Sequence, residues 1–116
     1  MLVDDHKLVR QGISSLFGNY PEIEIVCEAS DGEEAVQLTR KLCPDVILMD
    51  ISMPKMNGIE ASHIISSEFP HIRIIGLSMH DDFSSINAML EAGATAYLTK
   101  DGSSEALLAA IRNPIA

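Results

Sequence analysis

Residues 45–58 read DVILMDISMPKMNG. Four apolar side chains in succession, Val46, Ile47, Leu48 and Met49, run straight into a carboxylate, Asp50, and then into a turn built from Pro54, Asn57 and Gly58. A half-solvated strand would alternate apolar and polar residues. An unbroken apolar run is the pattern of a strand covered on both faces of a parallel sheet. Ending such a strand on a charge is costly unless the acid is solvated or has chemistry to do. The remainder of the chain decides between the two.

Working outward, further short apolar runs lie at Met1–Val3, Ile23–Cys27, Ile72–Leu77 and Ala94–Leu98. Amphipathic stretches separate them. Val9, Ile13, Leu16 and Phe17 share one helical face in the first. The second opens on Asp31 and Glu34, a capping-box spacing, turns Ala35, Leu38 and Leu42 inward, and is stopped by Pro44. The third repeats that start with Asn57 and Glu60 and presents Ala61, Ile64, Ile65 and Phe69. The fourth uses Phe83, Ile86 and Leu90 and closes at Gly93, and the fifth spans about 104–112. The order βαβαβαβαβα, with right-handed crossovers, predicts one α/β domain with helices on both faces of a parallel sheet.

In such sheets ligands bind beyond the C-terminal ends of the strands, where the strand order reverses. Just past the apolar runs stand Asp4 and Asp5, Asp50, Ser78, and Thr99 with Lys100. A strand order of 2-1-3-4-5 makes the first and third strands neighbours and draws three carboxylates, a hydroxyl and one ammonium into one crevice. Two like charges about 4 Å apart repel by roughly 4 kcal/mol at an effective dielectric of about 20. Three acids facing one lysine lack two positive charges, which a divalent cation supplies. All-oxygen ligands suit Mg²⁺ or Mn²⁺. A carboxylate beside such an ion, with Lys and Ser donors nearby, is equipped to attack a phosphoryl group. Taken without Asp50 and Lys100, the pair Asp4–Asp5 reads better as a solvated turn and helix cap.

The bulk composition agrees. The 116 residues carry 17 Asp and Glu against 8 Lys and Arg, a formal charge of −9, which argues against direct nucleic-acid contact. MLVDD meets charge too early for a signal peptide or membrane anchor, and no apolar run approaches the roughly 20 residues of a bilayer span. A cytoplasmic location follows as an expectation. Cys27 and Cys43 fit no metal or disulfide spacing and read as reduced thiols. His6, His63, His71 and His80 show no ligand spacing and read as surface residues.

VDDH (3–6), DVILMDISMPKMNGIE (45–60), LSMHDD (77–82) and AGATAYLTKDG (92–102), in this order and spacing, resemble the receiver domains of bacterial two-component response regulators. The phrasing is most similar to the NarL/LuxR-type subgroup. The resemblance covers residues 1–116 and implies a flavodoxin-like, doubly wound five-stranded sheet. By it Asp50 is the phosphoacceptor, taking a phosphoryl group from a sensor histidine kinase or a small phosphodonor. Asp5, Asp50 and the Ser52 carbonyl hold Mg²⁺, with Asp4 assisting through water. Lys100 pairs with the acceptor carboxylate, Ser78 donates to the phosphoryl group, and Tyr97 swings inward as Ser78 moves. The implied readout is a shift of the surface formed by the fourth helix, fifth strand and fifth helix, with a homodimer on phosphorylation as a further expectation. A simple loop hydroxyl at Ser78 and a half-buried strand role for Tyr97 are the plainer readings.

The helix-turn-helix output domain usual in this subgroup is expected to be absent, so transcription would be regulated through a domain that these residues do not include. The first strand is shorter than the family's by two or three residues, which suggests a trimmed or misplaced start costing roughly 1 kcal/mol per lost ladder bond. Asp101 follows Lys100 where the family often has a cis-proline, so a trans bond and a locally different loop are expected. Met79, where many receivers have a small residue, is expected to shield the phosphoryl group and slow its hydrolysis. Three other functions compete. A haloacid-dehalogenase-like phosphatase needs a second Asp where Ser52 stands. A flavodoxin-like FMN module needs a Ser/Thr/Gly loop where Asp4, Asp5 and His6 stand. A non-phosphorylated pseudo-receiver would not need the full set of acid, hydroxyl and ammonium.

Overall fold

The computed structural model of the chain describes residues 1–78, 83–100 and 104–112. Strands and helices alternate throughout: β1 (Leu2–Val3), α1 (Lys7–Phe17), β2 (Glu28–Ala29), α2 (Gly32–Leu42), β3 (Val46–Asp50), α3 (Gly58–Glu68), β4 (Arg73–Ser78), α4 (Phe83–Glu91), β5 (Ala96–Thr99) and α5 (Ser104–Arg112). The five strands form one parallel sheet in the order 2-1-3-4-5, the flavodoxin-like arrangement expected. Expectations placed on Met79, His80 and Asp101 lie outside the described residues.

Alternate residues of the central strands feed two separate cores. Ile47, Met49 and Ile74 pack on one face with Ala35 and Val36 of α2, Ala61 and Ile65 of α3, and Met89 of α4. Leu48, Ile75 and Leu77 pack on the other with Phe17 of α1 and Leu107 and Leu108 of α5. Residues 46–49 are therefore apolar without alternation because each face of β3 has helices to bury it.

The helix starts follow their capping residues. The Asp31 side chain accepts from Glu34 N at 2.8 Å, and Asn57 Oδ1 accepts from Glu60 N at 2.9 Å. Glu34 does not close the box on Asp31; it accepts from Ser30 N at 2.7 Å, one residue earlier. α2 ends at Cys43 in the left-handed region, and Gly93 beyond α4 has φ +114°. A Cβ on Gly93 would lie 2.4 Å from Ser66 Cβ.

Three details depart from the sequence reading. β2 is Glu28–Ala29, not Ile23–Cys27. Ile23 and Ile25 do pack, against the α1/α5 core, but from an irregular segment. β1 offers a ladder of two residues, Leu2 and Val3, whose β2 partners are Glu28 and Ala29, and bonding reaches back only to Cys27, whose carbonyl accepts from Leu2 N at 3.2 Å. Leu42 and Leu90, read as inward-facing, are each 44% exposed because they stand near the ends of their helices.

Candidate functional site

The site lies where β1, β3 and β5 end on one rim of the sheet. The order of strand addition reverses between β1 and β3, so the chain leaves these two parallel neighbours towards helices on opposite faces and a crevice is left between them. Asp4 follows β1 directly, and its N–H donates to Ala29 O at 3.0 Å, extending the pairing with β2 by one bond. That bond and the Arg10 guanidinium on the Asp4 carbonyl hold the Asp4 side chain inward, 4% exposed. Arg10 is itself tied to Glu28, with Nε 3.0 Å from Oε1. Asp5 turns partly outward, its side chain 30% exposed.

His6 occupies the N-cap position of α1 without capping it through its side chain. Its ring turns to the acids: Nδ1 lies 3.1 Å from Asp4 Oδ1 and 3.1 Å from Asp5 Oδ1. Its N–H donates to Asp4 Oδ1 at 2.8 Å. From the sequence His6 reads as a surface residue without ligand spacing. Two-thirds of the ring is indeed exposed, but the nitrogen belongs to the site. The available signal was its position directly after two acids at a helix start.

Asp50 ends β3, buried, opposite Leu77 of β4. The chain after it folds back tightly. Gly58 N donates to Ile51 O at 2.8 Å, and Met56 N to Pro54 O at 2.8 Å. Lys55 takes φ +65°. A Cβ at Gly58 would stand 2.0 Å from the Asp50 carbonyl oxygen, so only glycine permits this approach. A second glycine, Gly32, bonds through its N–H to Met56 O at 2.9 Å and joins the same loop to α2. Ser52 is exposed on this loop.

Lys100 arrives from β5, positioned by its N–H donating to Ser78 O at 2.7 Å. Its side chain is 7% exposed, and Nζ lies 2.6 Å from Asp4 Oδ2 and 3.1 Å from Asp50 Oδ1. Burial raises the pKa of Asp50, the Asp4 charge raises it further, and Lys100 opposes both; the outcome is about 6. Burial alone lowers the pKa of Lys100, but its bonds to Asp4 and Asp50 outweigh that and leave it above the ordinary lysine value. Asp50 Oδ2 is buried and accepts no hydrogen bond from the described residues. Asp4, Asp5, His6 and Asp50 each offer one ligand atom, and these atoms lie within 4.8 Å of one another. An orphaned carboxylate oxygen, excess negative charge and converging donors fit a divalent cation.

Ser78 ends β4 one residue beyond the Asp50 partner, buried and level with Thr99. Tyr97 is not at the rim. It pairs with Gly76, half-buried, packed against the α2–α4 core. A Cβ on Gly76 would come within 3.0 Å of Met89 Cε and 3.2 Å of the Tyr97 ring.

Comparison with known proteins identifies this arrangement. The sequence profile of the response regulator receiver domain matches residues 1–112. The chain is 43% identical over 112 residues to the transcriptional regulatory protein DegU of Brevibacillus brevis, covering 97% of this chain and 48% of DegU. It is 41% identical over 112 residues to the nitrate/nitrite response regulator protein NarP of Escherichia coli, covering 97% and 52%. Among solved structures, a LuxR-family two-component response regulator from Aurantimonas superposes with a TM-score of 0.90 at 39% identity, covering 96% of this chain and 79% of that one. A CheX–CheY–BeF3–Mg complex from Borrelia burgdorferi gives 0.87 at 28% identity, covering 95% and 83%.

The chain belongs to the response regulator receiver domain family. Its relatives are of the LuxR/NarL type, as the motif phrasing suggested, and it spans about half the length of the curated relatives it matches. Receiver domains are signalling domains of two-component systems that receive phosphate from sensor histidine kinases and bind Mg²⁺ at an acidic pocket. Among the described residues no helix is long and apolar enough to cross a membrane.

Proposed function

We propose that this chain is a phosphorylation switch in which Asp50 accepts a phosphoryl group from the phosphohistidine of a sensor kinase or from a small phosphodonor. The observation that carries the reading is the sharing of one buried ammonium, Lys100, between Asp4 and Asp50 while Asp50 Oδ2 has no hydrogen-bond partner among the described residues. Asp5, Asp50 and the Ser52 carbonyl would hold Mg²⁺ or Mn²⁺, with Asp4 assisting through water. The bound ion would neutralise excess charge on the carboxylates and the transferring oxygens.

The residues themselves supply the rest. An Asp50 carboxylate oxygen attacks phosphorus; the new P–O bond forms as the P–N bond to the donor imidazole breaks. The imidazole keeps the electron pair, and Asp50 becomes an acyl phosphate. Lys100, already 3.1 Å from Asp50 Oδ1, is placed to follow the new negative charge. The Ser78 hydroxyl, one strand over, donates to a phosphoryl oxygen. Movement of Ser78 would free space for Tyr97 and bias the α4–β5–α5 surface between two states. The domain is proposed as residues 1–116, acting on transcription through an output domain not included in them and pairing with a second copy when phosphorylated. Its −9 charge supports a role without direct DNA contact.

The test is incubation with Mg²⁺ and acetyl phosphate, followed by mass spectrometry of wild type and Asp50→Asn. A covalent phosphoryl adduct in wild type and none in the variant is expected. Turnover of an external phosphate ester would instead favour a phosphatase.

A further inference from the structure

The donor set at the rim contains one atom that the oxygen chemistry of the proposed site does not use. His6 Nδ1 stands 3.1 Å from Asp4 Oδ1 and 3.1 Å from Asp5 Oδ1. Neighbouring ligands on an octahedral ion with bonds of about 2.1 Å lie about 3.0 Å apart. The imidazole nitrogen therefore already stands at the spacing of an adjacent corner from each of the two carboxylate oxygens. Asp50, more than nine-tenths buried and with its Oδ2 unpartnered among the described residues, closes the same cluster.

Nitrogen changes what such a site prefers. Mg²⁺ is a hard ion that takes oxygen and keeps its waters, whereas imidazole suits borderline first-row ions. His6 sits at the mouth, its side chain 64% exposed, while Asp4 and Asp50 are buried. An ion entering from solvent would thus meet the imidazole together with the outward Asp5.

We infer that His6 is a metal-selectivity residue: its imidazole coordinates a borderline first-row transition ion such as Co²⁺ at the Asp4–Asp5–Asp50 cluster and contributes nothing to Mg²⁺. The inference rests on the cation site proposed above and adds a second class of ion to it.

Titration calorimetry of wild type and His6→Asn with Mg²⁺, Mn²⁺ and Co²⁺ separates the two. Losing even an outer-layer partner of a metal costs about 10–100-fold, so losing a direct ligand should weaken Co²⁺ by about tenfold or more while Mg²⁺ stays within about twofold. Pulsed electron paramagnetic resonance on Co²⁺-loaded wild type should show nitrogen hyperfine coupling, a readout that does not depend on the variant folding. Equal affinities in both proteins for every ion, or no nitrogen coupling, overturns the role of His6 and leaves the site intact. No binding of any divalent ion to wild type overturns the site and the inference together.

Discussion

The Lys100 ammonium lies closer to Asp4, at 2.6 Å, than to Asp50, the carboxylate proposed to react, at 3.1 Å. In the metal-free protein the lysine is thus the shared counter-ion of two buried acids. Its removal leaves both uncompensated.

Lys100→Ala should therefore destabilise the metal-free protein by about 3–5 kcal/mol, the cost of breaking a buried pair from one side. Urea unfolding in EDTA would measure it. Adding Mg²⁺ should recover a large part, because the ion takes over the neutralising role. A loss below about 1 kcal/mol would show that the ammonium is not needed there.

The raised pKa of Asp50 makes a prediction with a definite sign. In the fold it is about 6, against 3.8 for an unperturbed Asp, so between these values the native state holds a proton that the unfolded state has lost. Stability from this group is present below about pH 4, falls as pH rises towards 6, and stays lost above it. The difference corresponds to roughly 3 kcal/mol. Asp50→Asn should abolish that decline and leave a more stable metal-free protein at pH 7. Thermal melts in EDTA across pH 4–8 would show it.

Gly58→Ala probes the close approach behind the site. Its Cβ would meet the Asp50 carbonyl oxygen at 2.0 Å, and that atom is backbone that cannot swing aside. A loss of more than about 2 kcal/mol is expected. Phosphorylation from acetyl phosphate should fall as well, since relief requires Asp50 to shift.

Asn57→Ala is the matching control one residue earlier. It removes the cap on Glu60 N without touching the acids, so about 1 kcal/mol should be lost. The phosphorylation rate of the folded protein should be unchanged.

Much of this was legible in the chain because strand ends in a parallel sheet are easy to find. The run from Val46 to Met49 announces a doubly covered strand, and Asp50 then has only the rim to occupy. Asp4 and Lys100 follow once the strand order is granted. β2 was misplaced because an apolar run reports burial rather than pairing. Ile23 and Ile25 bury side chains without a ladder, while Glu28, charged and exposed, pairs with Leu2. His6 shows no ligand spacing along the chain because its ring reaches back over the two acids immediately before it. Tyr97 pairs with Gly76, a contact that depends on strand register and so leaves no mark in local sequence.

The stretch after Asp50 is stitched at two points, Gly58 to Ile51 and Gly32 to Met56. A loop fastened in this way behaves as a fixed jaw. When cargo settles between the two sides of the crevice, the adjustment should come from the opposite jaw, at the ends of β4 and β5, where Lys100 N–H donates to Ser78 O. Mechanical response should thus be one-sided, and the surface that reports it should be sought beyond β4 and β5 rather than over α2 and α3.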